Sequence, residues 1–185
     1  MGDSPSLLYM MDGNPNHPER ESWGGSFTPF NHSPRVVYDR ATTIVDTVAF
    51  CSVVEFHLSG PETTVAADSA CFWMETMYKN NVQKWPGFYA GKGRYVIKYV
   101  PKQAEVLSYK FSSNIPGFPQ QEGNLVVTNS WPGKVRRTDY TLGDHWFTDR
   151  GDPELYDGKI QGGKTILKWR KQVLMDWAKR WEWIK

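Results

Sequence analysis

Asp46-Thr47-Val48-Ala49-Phe50-Cys51-Ser52-Val53-Val54-Glu55-Phe56-His57-Leu58 is the stretch that decides the fold. Val48, Phe50, Val54, Phe56 and Leu58 share one face, while Thr47, Cys51, Glu55 and His57 share the other. This period of two belongs to a strand with one side in a core. Ser59-Gly60-Pro61 then closes the run with turn residues. Further along, Phe72 and Met74 oppose Trp73 and Glu75, and Tyr95, Ile97 and Tyr99 oppose Arg94 and Lys98 in a run that stops at Pro101. Leu107, Tyr109 and Phe111 align between Val106 and Ser112, and Leu125 and Val127 between Asn124 and Thr128. Short alternating runs parted by Gly, Pro and Asn, with no helical period between them, predict a mainly β protein built as an antiparallel β-sandwich.

The flanks differ. Pro5, Pro15, Pro18, Pro29 and Pro34 break up the first forty residues, so 1–43 is expected to be loop-rich and the sandwich to occupy 44–129. Residues 130–163 carry Gly, Asp and aromatics without a period and form a long expected loop. After Gly162-Gly163, the residues Ile166, Trp169, Val173, Trp177, Trp181 and Ile184 step by three or four, which predicts a C-terminal amphipathic helix over 164–185. Lys168, Lys171, Lys179 and Arg180 cover its other faces, and the tryptophan stripe is expected to lie buried on a core.

Composition narrows the function classes. With 39% hydrophobic and 23% charged residues the chain can build a core, and a formal charge of +2 gives no phosphate-tracking surface, so no nucleic acid partner is expected. No apolar run is long enough to span a membrane and the start lacks a signal-peptide pattern. A soluble chain with no membrane partner is therefore expected, its location open. Cys51 and Cys71 have no Cys or His at metal-ligand spacing, so no metal and no cofactor are expected. Two buried free thiols are favoured over a disulfide. Aromatics at 15%, with nine tryptophans, exceed what core filling requires and direct attention to surface rings.

Trp85-Pro86-Gly87-Phe88-Tyr89-Ala90-Gly91-Lys92-Gly93-Arg94-Tyr95, followed by Ile97 to Pro101, is the most distinctive text. With Leu107 to Ser113 and Val53 to Pro61, it resembles the immunoglobulin-like module found ahead of the catalytic barrel in many chains classed as glycoside hydrolases. The resemblance implies an immunoglobulin-like sandwich that accompanies catalysis without performing it. An Asn-Pro-Phe turn common in that module is replaced by Ala67 to Phe72. A second resemblance lies at the ends. Gly2 to Tyr9, His17-Pro18-Glu19 and Ser22 to Phe27, with Thr165 to Arg170 and Asp176 to Trp181, are similar to the late part of the nucleoside-hydrolase-like domain of a bacterial family described as cellulose-binding. This implies a sandwich set between, or beside, pieces of a larger hydrolase-like domain. Members of both families are usually exported.

No catalytic residues emerge. Nucleoside hydrolases need an early Asp-x-Asp-x-x-x-Asp-Asp cluster to hold calcium and activate water, and the chain has none. Asp139, Asp144, Asp149, Asp152, Glu154 and Asp157 sit among Gly, Pro and Thr as ordinary turn residues. His145 beside Asp144 is a surface pair, since adjacent residues seldom face each other. Sugar binding requires flat rings next to polar groups, and Trp85, Tyr89, Trp73, Trp131 and Trp146 could supply them, Trp85 and Tyr89 above all because they are expected on turns. The expected function is a non-catalytic accessory or scaffold module of a carbohydrate-related bacterial protein. Its partners would be a polysaccharide or oligosaccharide, or a larger hydrolase-like domain. The alternative is the C-terminal part of a nucleoside-hydrolase-like enzyme whose metal site lies on another segment.

Overall fold

The alternation from Thr47 to Leu58 becomes two strands, because the backbone at Cys51 turns left-handed at φ 61° and breaks the run. The computed structural model of the chain describes residues 11–78, 80–129 and 135–183. In chain order its strands are β1 Phe27–Pro29, β2 His32–Ser33, β3 Arg35–Tyr38, β4 Thr47–Ala49, β5 Val53–Ser59, β6 Ala70–Tyr78 and β7 Asn81–Tyr89. They continue with β8 Arg94–Tyr99, β9 Glu105–Ser113, β10 Gln121–Thr128, β11 Tyr140–Thr141 and β12 Phe147–Asp149, before the helices α1 Gly163–Leu167 and α2 Arg170–Glu182. The protein is mainly β, with a sandwich and a C-terminal helix. Contacts divide it into one compact unit of Ser33–Tyr140 and another formed by Met1–His32 with Thr141–Lys185.

In the first unit eight strands hydrogen-bond in the order β3-β5-β8-β7-β6-β9-β10-β4. The interior pairs are antiparallel, as alternation between tight turns requires, whereas the outermost pairs, β3 with β5 and β4 with β10, are parallel. The break at Cys51 explains this, since it sends β4 to one end of the strand order and β5 toward the other. Three strands separate β5 from β9, which in a flat sheet would hold them about 19 Å apart. Yet the Phe56 ring on β5 lies 5.2 Å from Phe111 and 5.4 Å from Tyr109 on β9. The sheet is thus folded over on itself. Its inner surfaces meet through Val54, Phe56, Leu58, Phe72, Met74, Tyr95, Ile97, Leu107, Phe111 and Leu125.

Two buried polar side chains in this core bond to each other and to the backbone. The Tyr109 hydroxyl accepts from the Thr42 N–H at 2.8 Å, and Thr42 Oγ1 donates to the Asn124 carbonyl at 2.6 Å, pinning the approach to β4 onto β9 and β10. Cys51 and Cys71 are both buried and unpaired, and burial raises the Cys51 thiol to about 11. Cys51 lies between strands and not within one.

Trp85 and Tyr89, expected on turns, lie within the nine-residue strand β7. It pairs with β6 from Tyr78↔Asn81 to Ala70↔Phe88, but with β8 only at Gly87, Phe88 and Tyr89. Pro86, which has no N–H to give, stands where pairing with β8 stops. Gly87 next to it is a tight contact: a Cβ there would stand 2.2 Å from Cε1 of Phe72. Tyr95, Phe111 and Phe118 hold that ring at centroid distances of 5.6, 6.3 and 5.5 Å, so it cannot turn aside. Gly87→Ala is expected to destabilise the chain by about 3 kcal/mol, the upper end for overpacking, despite the entropic advantage of Ala over Gly. Equilibrium urea unfolding of the full chain measures it. An unchanged midpoint would show that Phe72 has room.

In the second unit, β1 pairs antiparallel with β12, two of the elements the sequence reading placed in loops. Ser26 N–H donates to Thr165 Oγ1 at 3.3 Å, and that hydroxyl donates to the Gly162 carbonyl at 2.6 Å, fastening the start of α1. The expectation that the tryptophan stripe is buried is overturned at Trp177 and Trp181, whereas Trp169 and Val173 are half-buried. No residue of α2 is buried, and Trp177 and Trp181 are 58% and 53% exposed. Helical periodicity fixes which residues share a face, but not whether anything covers it. Ile184 lies outside the described residues.

Candidate functional site

Strand alternation puts Val54, Phe56 and Leu58 inside and therefore Glu55 and His57 outside. Register carries the same outer face across the sheet, through Glu55↔Lys98, His57↔Val96, Phe88↔Val96 and Trp73↔Pro86. Two features meet there, a buried carboxylate and a shallow apolar groove.

The carboxylate is Glu55, only 2% exposed although it faces outward. Arg35 on the neighbouring β3 grips it with two parallel bonds, Nε to Oε1 at 3.0 Å and Nη2 to Oε2 at 2.7 Å. His57 Nε2 lies 3.1 Å from Oε2, Lys98 Nζ lies 3.5 Å from Oε1, and the Tyr140 hydroxyl donates to Oε1. Lys98 also donates to the Tyr140 hydroxyl at 2.8 Å. The Arg35 bonds first, then those from Tyr140 and His57, hold the Glu55 carboxyl well below the usual range against the opposing effect of burial. The same pair raises Arg35, and Lys98 is raised chiefly by its bond to Tyr140. Segment 136–140 is fastened alongside, as the Asp139 carboxylate accepts from the backbone N–H of Arg35 at 3.2 Å and of Arg136 at 2.8 Å.

A second carboxylate on this face behaves likewise. Glu75 lies between Lys84 at 2.9 Å and Lys110 at 3.2 Å and accepts from Ser112 at 2.8 Å, which lowers it to about 2. Both carboxylates are fixed as anions. Glu55 is buried, with both oxygens taken up by Arg35, His57, Lys98 and Tyr140, and neither carboxylate holds a proton near neutrality, so neither can serve as a general acid.

The groove of about 530 Å³ is lined by Ala67, Pro86, Phe88, Tyr89, Ala90, Val96 and Lys98. Phe88 is 38% exposed and presents its ring outward because Gly87 and Tyr89, its neighbours, face inward. The β7–β8 turn follows Ala90, with Gly91, Lys92 and Gly93 all at positive φ, and a Cβ on Gly93 would stand 2.7 Å from the Gly60 carbonyl oxygen.

The expected binding rings are dispersed. Trp85 and Tyr89 lie in β7 and not on turns, on its inner side, where Trp85 meets Tyr99 edge-on at 5.2 Å and Tyr89 packs on Tyr95 at 5.2 Å. Burial of the Trp85 indole leaves its Nε1 without a protein partner. Trp73 is half-buried on the outer face beside Pro86. Trp146 is exposed in the other unit, and Trp131 lies outside the described residues. Phe88 was missed. Asp144 and His145 are exposed, Asp152 pairs with Arg150 at 2.7 Å, and no metal-holding group of His, Cys, Asp and Glu occurs among the described residues.

The fold and site define a β-sandwich whose outer face joins ion-paired carboxylates to an apolar groove. A family model described as a domain of unknown function (DUF5060) matches residues 48–114, within the sandwich unit. Among solved structures, the chain is similar to one described as a putative glycoside hydrolase from Bacteroides vulgatus, at 21% identity and a TM-score of 0.40. That likeness covers 47% of this chain and 17% of the other. No curated protein matches the chain. The resemblance of the flanks to a nucleoside-hydrolase-like domain receives no support, and its opening residues lie outside those described.

Proposed function

We propose that the chain is a non-catalytic accessory module of a carbohydrate-related protein, an immunoglobulin-like sandwich that makes a weak glycan contact at the Phe88 groove. The observation that carries this reading is the state of Glu55 and Glu75. Ion pairs hold both as anions, unsuited to protonating a leaving group, and Glu55 anchors the Lys98 that lines the groove. The groove adds an aromatic face, the apolar edges of Pro86 and Val96, and a Lys98 ammonium, the mixture a pyranose needs for its C–H face and its hydroxyls. The carbohydrate side of the reading also draws on the likeness of the Trp85 to Pro101 stretch to modules that accompany glycoside hydrolases. Trp85 acts in it as a support on the inner side of β7, Tyr89 lines the groove, and Trp73 stands beside Pro86.

One ring in an open groove should bind with a Kd on the order of 0.1 to 1 mM. Titration of soluble cello- and xylo-oligosaccharides into isotopically labelled protein is expected to shift the amides of residues 86–98 saturably. Phe88→Ala should weaken this by about tenfold or more. Absence of shifts up to several millimolar, or a Phe88→Ala protein that titrates like wild type, overturns the glycan contact. Hydrolysis by purified chain, abolished at a single carboxylate, overturns the non-catalytic reading.

A further inference from the structure

The residues of α2 that share a face by steps of three and four are Val173, Trp177 and Trp181, with Leu174 and Ala178 alongside. In a helix docked within its own domain such a stripe is covered. Here Val173 is half-buried, but Leu174 is 53% exposed, Trp177 58% and Trp181 53%, with Ile166 and Leu167 of α1 similarly open. Trp177 and Trp181 meet edge to face at 5.4 Å, so the two rings form one continuous apolar surface.

Charge selects the occupant. Residues 163–183 hold six basic side chains, Lys164, Lys168, Arg170, Lys171, Lys179 and Arg180, against the two acidic ones Asp176 and Glu182, a net of +4 on a chain whose total is +2. Asp176 is taken by Arg180 at 2.7 Å, and Lys168 by Glu21 at 2.6 Å. Lys164, Arg170, Lys171 and Lys179 have no carboxylate partner among the described residues. Arg170 heads the apolar stripe, Lys171 flanks it on the Leu174 and Ala178 side, and Arg180 flanks it on the Val173 and Trp177 side. Arg170 and Lys171 beside the exposed tryptophans fit a surface that is negative and apolar at once. Exposed Leu174, Met175, Ile166 and Leu167 favour hydrocarbon over sugar, because aliphatic chains offer a pyranose no flat π-face.

We infer that α2 is an interfacial helix that docks this protein on an anionic lipid surface, with Trp177 and Trp181 seated at the headgroup boundary and Arg170 and Lys171 reaching the phosphates. No helix among the described residues is long and apolar enough to cross a membrane, so the contact is superficial. It reverses the sequence expectation of no membrane partner, which rested on spanning segments alone. It is independent of the glycan reading.

The test is co-sedimentation of the full chain with vesicles of phosphatidylcholine containing about 30% phosphatidylglycerol, beside vesicles of phosphatidylcholine alone. Binding is expected to the anionic vesicles only, with a blue shift of tryptophan emission, and to weaken in high salt. Arg170→Glu with Lys171→Glu, and separately Trp177→Ser with Trp181→Ser, should each lower the partition by roughly tenfold or more. Because these side chains are exposed, circular dichroism should be unchanged, and Val106→Ser, exposed on the sandwich, should bind as wild type does. Failure to bind anionic vesicles, equal binding to both kinds, or tryptophan variants that bind undiminished would overturn the inference.

Discussion

Phe56→Ala should destabilise the protein by about 3 to 5 kcal/mol, the range for removing a buried aromatic from a well-packed core. The ring is fully buried and touches Tyr38 at 5.9 Å, Tyr109 at 5.4 Å and Phe111 at 5.2 Å. These partners come from β3 on one side and from β9 across the fold, so Phe56 joins the two halves of the folded-over sheet. Neither half can collapse into the space, since each is held by its own backbone ladder. Phe56→Leu, which keeps most of the volume, should lose much less. Urea unfolding followed by the β-sheet circular dichroism band measures both. A loss below about 1 kcal/mol for Phe56→Ala would mean that the halves do not depend on this contact.

The core was legible because burial on one face writes itself into alternation. Phe56, Tyr95, Ile97, Tyr109, Phe111 and Leu125 were all placed inward from sequence, and all are buried. The break at Cys51 was not legible. Val48 and Val54 keep the same parity across it, so the period continues while the chain changes sheet partners. Pro86 and Gly87 misled in the opposite direction, as turn-forming residues inside a strand. One tolerates the end of β8 pairing, and the other makes room for Phe72. Applying the strand period through them would have put Trp85 and Tyr89 inside and Phe88 outside, which is how the groove could have been found. The Glu55 network is different in kind. Its partners Arg35, Lys98 and Tyr140 are spread over a hundred residues, and only the sheet register brings them to one carboxylate.

That carboxylate gives the second large effect. Glu55→Gln is expected to cost about 2 to 3 kcal/mol, below the usual figure for breaking a fully buried pair because the Arg35 side chain is 34% exposed and partly screened. The amide has nearly the shape of the carboxylate, but its NH₂ group must face donors from Arg35, Lys98, His57 or Tyr140. The damage is therefore electrostatic and not a cavity, and Glu55→Leu combined with Arg35→Met should recover part of the loss by removing both charges. The pH dependence has a definite sign. Glu55 titrates lower in the folded chain than its ordinary value of 4.5, so the unfolded chain binds more protons as acid is added. Its contribution is complete above that value and declines as pH falls below it. Glu75 and Asp46, both lowered to about 2, weaken acid stability in the same direction but are present in wild type and variant alike. The stability gap between wild type and Glu55→Gln should thus be constant from neutrality to about pH 5 and narrow below it. A gap that stays constant to pH 3, or a variant as stable as wild type at neutrality, would show that Arg35 and Glu55 contribute no net attraction in this sheet.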